Sequence, residues 1–332
     1  MAPTSSIDSA NPSDAPTSVW TTRRNRGWVY VDHITSIRAG CTVLDFYVEK
    51  YRHSDRQTWS RRLEAGQIHL GDGPCGIDTV LLAGSSLKYH RPPWDEPSAP
   101  RDFSVLYQDD DLVAVEKPSG LQVLPAAQFL ENTLLHVVKE RLGADLAPVH
   151  RLGRGTSGIV LFARTDAARR GLSEDLSTGK MKKIYAALAQ GVGLPNEFSV
   201  DQEIGAVAYP GMGTVHAAVA GGKKSISHIR VIESRERDSA TLVEVEIPTG
   251  RPHQIRIHLA VAGYPLVGEP FYQIGGHPPK TGPNQRVPLP GDLGYHLHAA
   301  QVVFDHPTTH QSMKIECPAS EILRPTKSAN HS

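Results

Sequence analysis

Residues 150–164 read HRLGRGTSGIVLFAR, a glycine-rich segment followed by an apolar run. Its second half, residues 159–163, is a run of β-prone apolar side chains that predicts a buried strand. Gly153, Gly155 and Gly158 precede the run and spell GxGxxG, the dinucleotide-binding fingerprint. That fingerprint requires a helix to open at the third glycine, so that helix N–H groups face the pyrophosphate. Because a strand follows instead, we interpret the glycines as a loop that feeds the strand.

Elements on both sides of this loop alternate between strand and helix. Residues 112–115 before the turn KPSG, and the alternating apolar residues 243, 245 and 247, predict two more strands. Thr165 predicts the N-cap of a helix over 166–176, and PHQIRIHLAVAG predicts another that ends at Gly263 and Pro265. The mixed order indicates an α+β domain over residues 98–322. The Pro- and Gly-rich segment 275–294 is typical of a surface loop.

The N-terminal part predicts a small α/β domain over residues 23–97. Apolar residues recur at helical spacing over 41–51, and Ser54 predicts the N-cap of a second helix that carries Trp59 and Leu63 and ends at Gly66. QIHLGDG then predicts a strand that enters a turn. The proline-rich YHRPPWDEPSAPRDF predicts an extended linker, with the domain boundary near Pro97. We expect residues 1–22 and 323–332 to be disordered tails, since they have little to bury.

Composition limits the class of protein. The 332 residues suggest about two domains, and 35 Lys+Arg balance 35 Asp+Glu, so a nucleic acid partner would need locally gathered cations. The three cysteines form no CxxC pair, which favours a reducing compartment over a disulfide framework. No apolar run is long enough for a membrane helix, and no targeting segment is evident. We therefore expect a cytoplasmic protein without a membrane partner.

Metal and hydrolase chemistry are poorly supported by the sequence. Of the 16 histidines, the close pairs are His253 with His258 and His296 with His298, and neither has the carboxylate or Cys partner of a metal site. Ser157 lacks the spacing of a hydrolase nucleophile elbow. We predict no metal and no cofactor.

Cations surround the loop that contains Gly153, Gly155 and Gly158, which we call the glycine loop. Arg151 and Arg154 lie within it, and Lys182 and Lys183 precede Tyr185 further along the chain. Basic side chains beside an aromatic residue suit a phosphate backbone and a base, so RNA and a nucleotide are both open at this point. Arg61 and Arg62 add a basic face to the second N-terminal helix, for which a merely solvated surface is the alternative.

Five separated motifs resemble one family, the RluA-type RNA pseudouridine synthases. They span about residues 107–307 and read YQDDDLVAVEKPSGLQVLP, HRLGRGTSGIVLFAR, KKIYAALAQG, TGRPHQIRIHLAVAGYPLVGEPFY and LHAAQVVFDHP. The preceding domain is similar to the S-four-like RNA-binding domain often fused to these enzymes. The resemblance implies a mixed, largely antiparallel sheet flanked by helices, and a monomer. It also implies an isomerase that acts on structured ribosomal or transfer RNA without a cofactor.

Site roles follow from the resemblance residue by residue. The target base must leave its stack, and Arg151 would then enter the RNA while Tyr185 packs on the flipped uracil. Arg256 matches the arginine that pairs with the family's catalytic carboxylate. The remaining motif positions would build the pocket or contact RNA: His150, Arg154, Thr156, Ser157, Lys182, Lys183, Arg251 and Gln254.

One position departs from the family motif. Where the family reads HRLD, this chain has Gly153, which offers no carboxylate for catalysis. A buried Arg256 without a partner would be costly, so we expect an acidic side chain from elsewhere to approach it. Two functions remain open: a pseudouridine synthase that uses a different acid, and a catalytically silent RNA-binding protein of the same fold.

Overall fold

The computed structural model describes residues 19–280 and 286–326. The small N-terminal unit contains two helices and six strands: α1 (Val43–Lys50), α2 (Arg56–Glu64), β1 (Trp20–Arg24), β2 (Trp28–His33), β3 (Ile68–Leu70), β4 (Gly73–Pro74), β5 (Ser86–Arg91) and β6 (Asp95–Pro100). The two helices pack on a four-stranded sheet of order β2-β5-β3-β4. Tyr47, Trp59 and Tyr89 form an aromatic core between them, with Tyr47 stacked 4.6 Å from Trp59.

The larger unit is built on one ten-stranded sheet. Its helices are α3 (Leu134–Leu142), α4 (Asp166–Thr178) and α5 (Gln254–Val261). Its strands are β7 (Ser104–Gln108), β8 (Leu112–Lys117), β9 (Ala147–Pro148), β10 (Ser157–Ala163), β11 (Lys182–Gln190), β12 (Glu197–Asp201), β13 (Ile204–Tyr209), β14 (Gly213–Ala218), β15 (Ile226–Arg235), β16 (Ala240–Glu246), β17 (Leu297–Asp305) and β18 (Ser312–Glu316). The order along the sheet is β12-β15-β16-β11-β17-β10-β8-β7, and β13 and β14 form a separate hairpin. The predicted α+β class, with a mixed and mostly antiparallel sheet, is confirmed.

Among the named strand pairs of this sheet, β10 and β17 are the parallel pair, and their pairing positions the glycine loop. β10 runs parallel to β17, with Ser157 opposite His298 and Gly158 opposite Ala299. A Cβ on Gly158 would lie 2.3 Å from the carbonyl oxygen of Ala299, and its φ of +105° also favours glycine. Glycine at this position therefore lets the loop enter the sheet beside β17.

Glu96 joins the two units of the chain. Its buried carboxylate accepts backbone N–H bonds from Leu130, Glu131 and Asn132 at 2.7 to 3.0 Å, and a side-chain bond from Asn25. A single carboxylate thus satisfies three amides of a loop that precedes α3. This contact fixes β6 against the larger unit.

Several local predictions need correction. Asp55 caps α2 by accepting from the Thr58 amide, one residue after the predicted Ser54. The predicted linker contains strand β6 and the end of β5, so it is extended but paired. Strand β1 begins at Trp20, inside the predicted tail, and residues 1–18 and 327–332 lie outside the described residues. The strand over 159–163, the helix from Asp166 and the helix before Gly263 are confirmed.

Candidate active site

The glycine loop is held by the turn KPSG that ends β8. Lys117 is fully buried, and its ammonium donates to three carbonyl oxygens, those of Pro118, Leu121 and Arg154, at 2.8 to 3.2 Å. Ser119 donates to the carbonyl of Gly155 at 2.8 Å. Burial lowers the pKa of Lys117 to about 7. The loop therefore rests on a rigid platform, as precise positioning of a reacting group requires.

Strand alternation on β11 directs two predicted residues to the same face. Lys183 and Tyr185 are buried on one side, while Lys182 is exposed on the other and pairs with Glu246 at 3.0 Å. Tyr185 lies opposite Ala299 on β17, which separates β11 from β10 and its loop. This register brings the phenol of Tyr185 to the same cavity as the glycine loop.

Arg256 has the acidic partner that we expected. Its Nε and Nη2 donate to the two carboxylate oxygens of Glu269 at 2.8 and 2.5 Å, and its Nη1 donates to the Pro290 carbonyl at 2.6 Å. Both side chains of the pair are almost fully buried. Glu269 also accepts the amides of Phe271 and Tyr272, so both of its oxygens are engaged. The prediction of a carboxylate beside Arg256 is confirmed.

Tyr295 fills the space beside Gly153. A Cβ on Gly153 would lie 3.1 Å from the Tyr295 hydroxyl, and one on Gly155 would lie 2.8 Å from the tyrosine ring. The hydroxyl is 3.3 Å from Oγ1 of Thr156, and the guanidinium carbon of Arg256 is 4.1 Å from the ring centroid. The parallel register of β10 and β17 explains the contact, because Tyr295 precedes β17 as the loop precedes β10.

These side chains enclose one small cavity that adjoins a larger cleft. The cavity holds about 80 Å³ and is lined by Arg151, Gly153, Thr156, Tyr185, Arg256 and Tyr295, among others. The cleft holds about 470 Å³ and shares Arg151, Tyr185 and Arg251 with the cavity. Arg151 is exposed, and Lys183 also lines the cleft. A cationic entrance in front of a tyrosine-lined cavity suits a phosphate backbone with one base turned inward.

Burial shifts the pKa values of several titratable groups around the cavity towards their uncharged forms. It lowers the pKa of His150 to about 4, and that of His253 to about 3 with a further contribution from Arg256. Burial also lowers the pKa of Lys183 to about 8 and raises that of Tyr185 above its ordinary value. His150 therefore stays neutral near pH 7, in agreement with its Nε2 accepting the Leu161 amide.

Not every predicted residue faces the cavity. Arg154 donates back to the Gly120 carbonyl and stacks on Phe129, which makes it a structural clamp of the loop. Gln254 does line the cavity, but its amide is engaged by Thr249, Ile226 and the amide of Arg251, so it also shapes the turn before α5. Arg61 and Arg62 lie on α2 and line neither the cavity nor the cleft.

Two residues of this site were missed from the sequence, Lys117 and Tyr295. The turn KPSG was visible, but the role of its lysine depends on carbonyl groups from a loop 37 residues away. Tyr295 follows a Pro- and Gly-rich segment and carries no local signal. Only the pairing of β10 with β17 brings it to the loop.

Comparison with known proteins gives the family. The sequence model of the RNA pseudouridylate synthase family matches residues 111–261 of this chain. The chain is 39% identical to RNA pseudouridine synthase 5 of Oryza sativa, a match that covers 90% of this chain and 89% of that one. The chain belongs to the RNA pseudouridylate synthase family. It is 43% identical to an uncharacterized RNA pseudouridine synthase of Synechocystis, over 85% of this chain and 96% of the relative.

The synthase also shares its fold with a solved structure. Human RNA Pseudouridylate Synthase Domain Containing 1 superposes with a TM-score of 0.52 at 22% identity, over 67% of this chain and 86% of that one. Pseudouridine synthases are isomerases that act on RNA, and this chain belongs to their family. No helix in the two described ranges is long and apolar enough to cross a membrane. Within those ranges, no group of three or more His, Cys, Asp or Glu side chains could hold a metal ion.

Proposed function

We propose that this synthase flips a uridine out of structured RNA and isomerises it in the cavity between Arg151, Tyr185 and Arg256. The observation that carries the proposal is that three motifs far apart in sequence line one 80 Å³ cavity. Arg151 is the exposed member and fills the gap that the base leaves in the RNA stack. Tyr185 packs on the uracil, and the buried Arg256 orders the cavity from the far side.

The substrate in this proposal is ribosomal or transfer RNA. The names of two relatives refer to such RNA. Ribosomal large subunit pseudouridine synthase D of Neisseria meningitidis is 30% identical to this chain. The mitochondrial tRNA pseudouridine(32) synthase of Saccharomyces cerevisiae is 27% identical. Lys183, Arg151 and Arg251 supply cations for the phosphates on either side of the flipped nucleotide. We further propose that the enzyme acts as a monomer in the cytoplasm.

The N-terminal unit supplies a second RNA contact in this proposal, in the manner of an S-four-like domain. A cavity of about 570 Å³ is lined by Tyr30, Tyr51, Trp59, Arg62 and Arg91. The guanidinium of Arg62 lies 4.3 Å from the buried Trp59 ring, and the exposed Tyr30 presents a π-face to the cavity beside this positive charge. Such surfaces bind single-stranded nucleic acid by stacking and charge.

Each contact can be tested by itself. With an unmodified transcript pool, Tyr185→Ala and Arg151→Ala should lose pseudouridine, read by mass spectrometry after cyanoethylation. The exposed turn variant Arg237→Ala serves as control and should match the wild type. Equal product from wild type and both site variants would refute the assigned cavity.

For the N-terminal unit, Arg62→Ala should weaken RNA binding about tenfold, while the exposed Arg56→Ala should not.

The alternative function is RNA binding without catalysis. It is favoured by one observation: among the described residues, no carboxylate lines the cavity. The wild type would then bind RNA and form no pseudouridine, whereas the proposed enzyme forms product.

A further inference from the structure

The chemistry of the cavity needs a group that can give and take a proton. Uridine becomes pseudouridine when the C1′–N1 bond breaks, the C1′–C5 bond forms, and the proton on C5 leaves while N1 gains one. No oxidant, reductant or co-reactant is consumed. A single side chain that donates first and accepts later can therefore serve both steps.

Most side chains around the cavity are unsuited to this task. The arginines remain protonated, and the hydroxyl of Thr156 is a far weaker acid than a phenol. The two oxygens of Glu269 are taken by Arg256 and by two backbone amides. His253 is held by Tyr272 at 2.6 Å and is a poor base, because its pKa is low. Among the side chains that line the cavity itself, two phenols remain, those of Tyr185 and Tyr295.

Of the two phenols, that of Tyr295 packs directly against the glycine loop. Gly153 and Gly155 have no side chains, and the space in front of both is filled by Tyr295. Thr156 contacts its hydroxyl, and Arg256 stacks on its ring. Because Glu269 holds the guanidinium of Arg256 in place, that guanidinium fixes the position of the Tyr295 ring.

Building on the proposed function, we propose that Tyr295 is a catalytic residue and that its hydroxyl serves the reacting uridine as proton donor and acceptor. As the C1′–N1 bond breaks, its electron pair passes to the uracil, and the Tyr295 proton moves to uracil O2. The phenolate faces the positive charge on ribose C1′. After the uracil turns, C5 bonds to C1′, and the C5 proton returns to Tyr295. Solvent then moves the proton on O2 to N1.

The test compares Tyr295→Phe with the wild type in single-turnover formation of pseudouridine. Phenylalanine keeps the ring over Arg256 and removes the hydroxyl, so we expect the rate to fall by about 10²-fold or more, with RNA affinity within about twofold of the wild type. The half-buried Tyr264, outside the cavity, gives the matched control Tyr264→Phe, which should keep the wild-type rate. A Tyr295→Phe rate within about threefold of the wild type would overturn the proposal.

A second variant separates chemistry from structure. In Tyr295→Phe, the oxygen that stands 3.1 Å from the Gly153 Cβ position is gone, so Gly153→Asp can place a carboxylate there. We expect the double variant to exceed Tyr295→Phe alone by about tenfold or more. A double variant no better than the single one would contradict the assignment of this space to the proton-transfer group. Absence of product from the wild type would instead refute the proposed function.

Discussion

The hydroxyl oxygen of Tyr295 lies 3.1 Å from the point that a Cβ atom on Gly153 would occupy. The two residues are 142 positions apart in sequence, and the parallel pairing of β10 with β17 brings them together. The loop and the tyrosine therefore form one packed unit, in which the size of the residue at 153 and the presence of the phenol depend on each other.

Gly155→Ala should disturb this unit directly. Its Cβ would come within 2.8 Å of the Tyr295 ring, which Arg256 confines from the side, so we expect a loss of about 1–3 kcal/mol in the free energy of unfolding and a slower reaction. Gly73→Ala has open space around its Cβ and should change stability by less than about 1 kcal/mol. Urea unfolding measures both, and equal stabilities of the two variants would contradict the packing described.

Glu269→Gln should destabilise the protein because it leaves the buried guanidinium of Arg256 without its counter-charge. We expect a loss of about 3–5 kcal/mol in the free energy of unfolding. The comparison is Glu244→Gln, whose exposed pair with Arg230 should contribute less than about 1 kcal/mol. If thermal and urea unfolding gave both variants the same stability, the pair would not be buried as the structure has it.

Lys117→Met tests, through the pH dependence of stability, whether the lysine that supports the glycine loop is buried. The folded-state pKa of Lys117 is about 7, below the usual value of 10.5 for a lysine, so the unfolded chain binds more protons between these values. The stability of the wild type relative to Lys117→Met should therefore rise by a few kcal/mol as the pH is raised from 7 towards 10.5. Parallel unfolding curves at all pH values would show that the lysine is not buried.

Glu96→Gln tests the joint between the two units at acidic pH. Burial alone would raise the pKa of Glu96, but hydrogen bonds from three backbone amides and from Asn25 hold this pKa below its usual range. The stability contributed by the carboxylate is present above pH 4.5 and is lost as the pH falls through the folded-state pKa. The advantage of wild type over Glu96→Gln should shrink on acidification, and an advantage that stayed constant would argue against the ionised contact.

Much of the fold was predictable because local periodicity and capping decide it. Thr165 caps α4, and the apolar run over 159–163 is a buried strand, as their sequences indicated. The helix α3 (Leu134–Leu142) was missed. Its apolar residues do recur at helical spacing, but two of them, Val137 and Val138, are β-branched and weaken the helical signal.

The site was predictable only in part. Arg151, Tyr185 and Arg256 stand in recognisable motifs, and the structure brings them to one cavity. An acidic partner for Arg256 could be expected from the cost of a buried charge, although its identity as Glu269 could not. Tyr295 could not be predicted at all, because its position depends on a strand register set far away in sequence.

The most direct measurement is pseudouridine formation on an unmodified transcript pool by the wild type beside Gly153→Asp. If Tyr295 fills the space in front of Gly153, the wild type forms product, and Gly153→Asp forms less because its side chain displaces the hydroxyl. Product from Gly153→Asp and none from the wild type would contradict the account. The natural chain would then be an RNA-binding protein whose cavity lacks only a carboxylate.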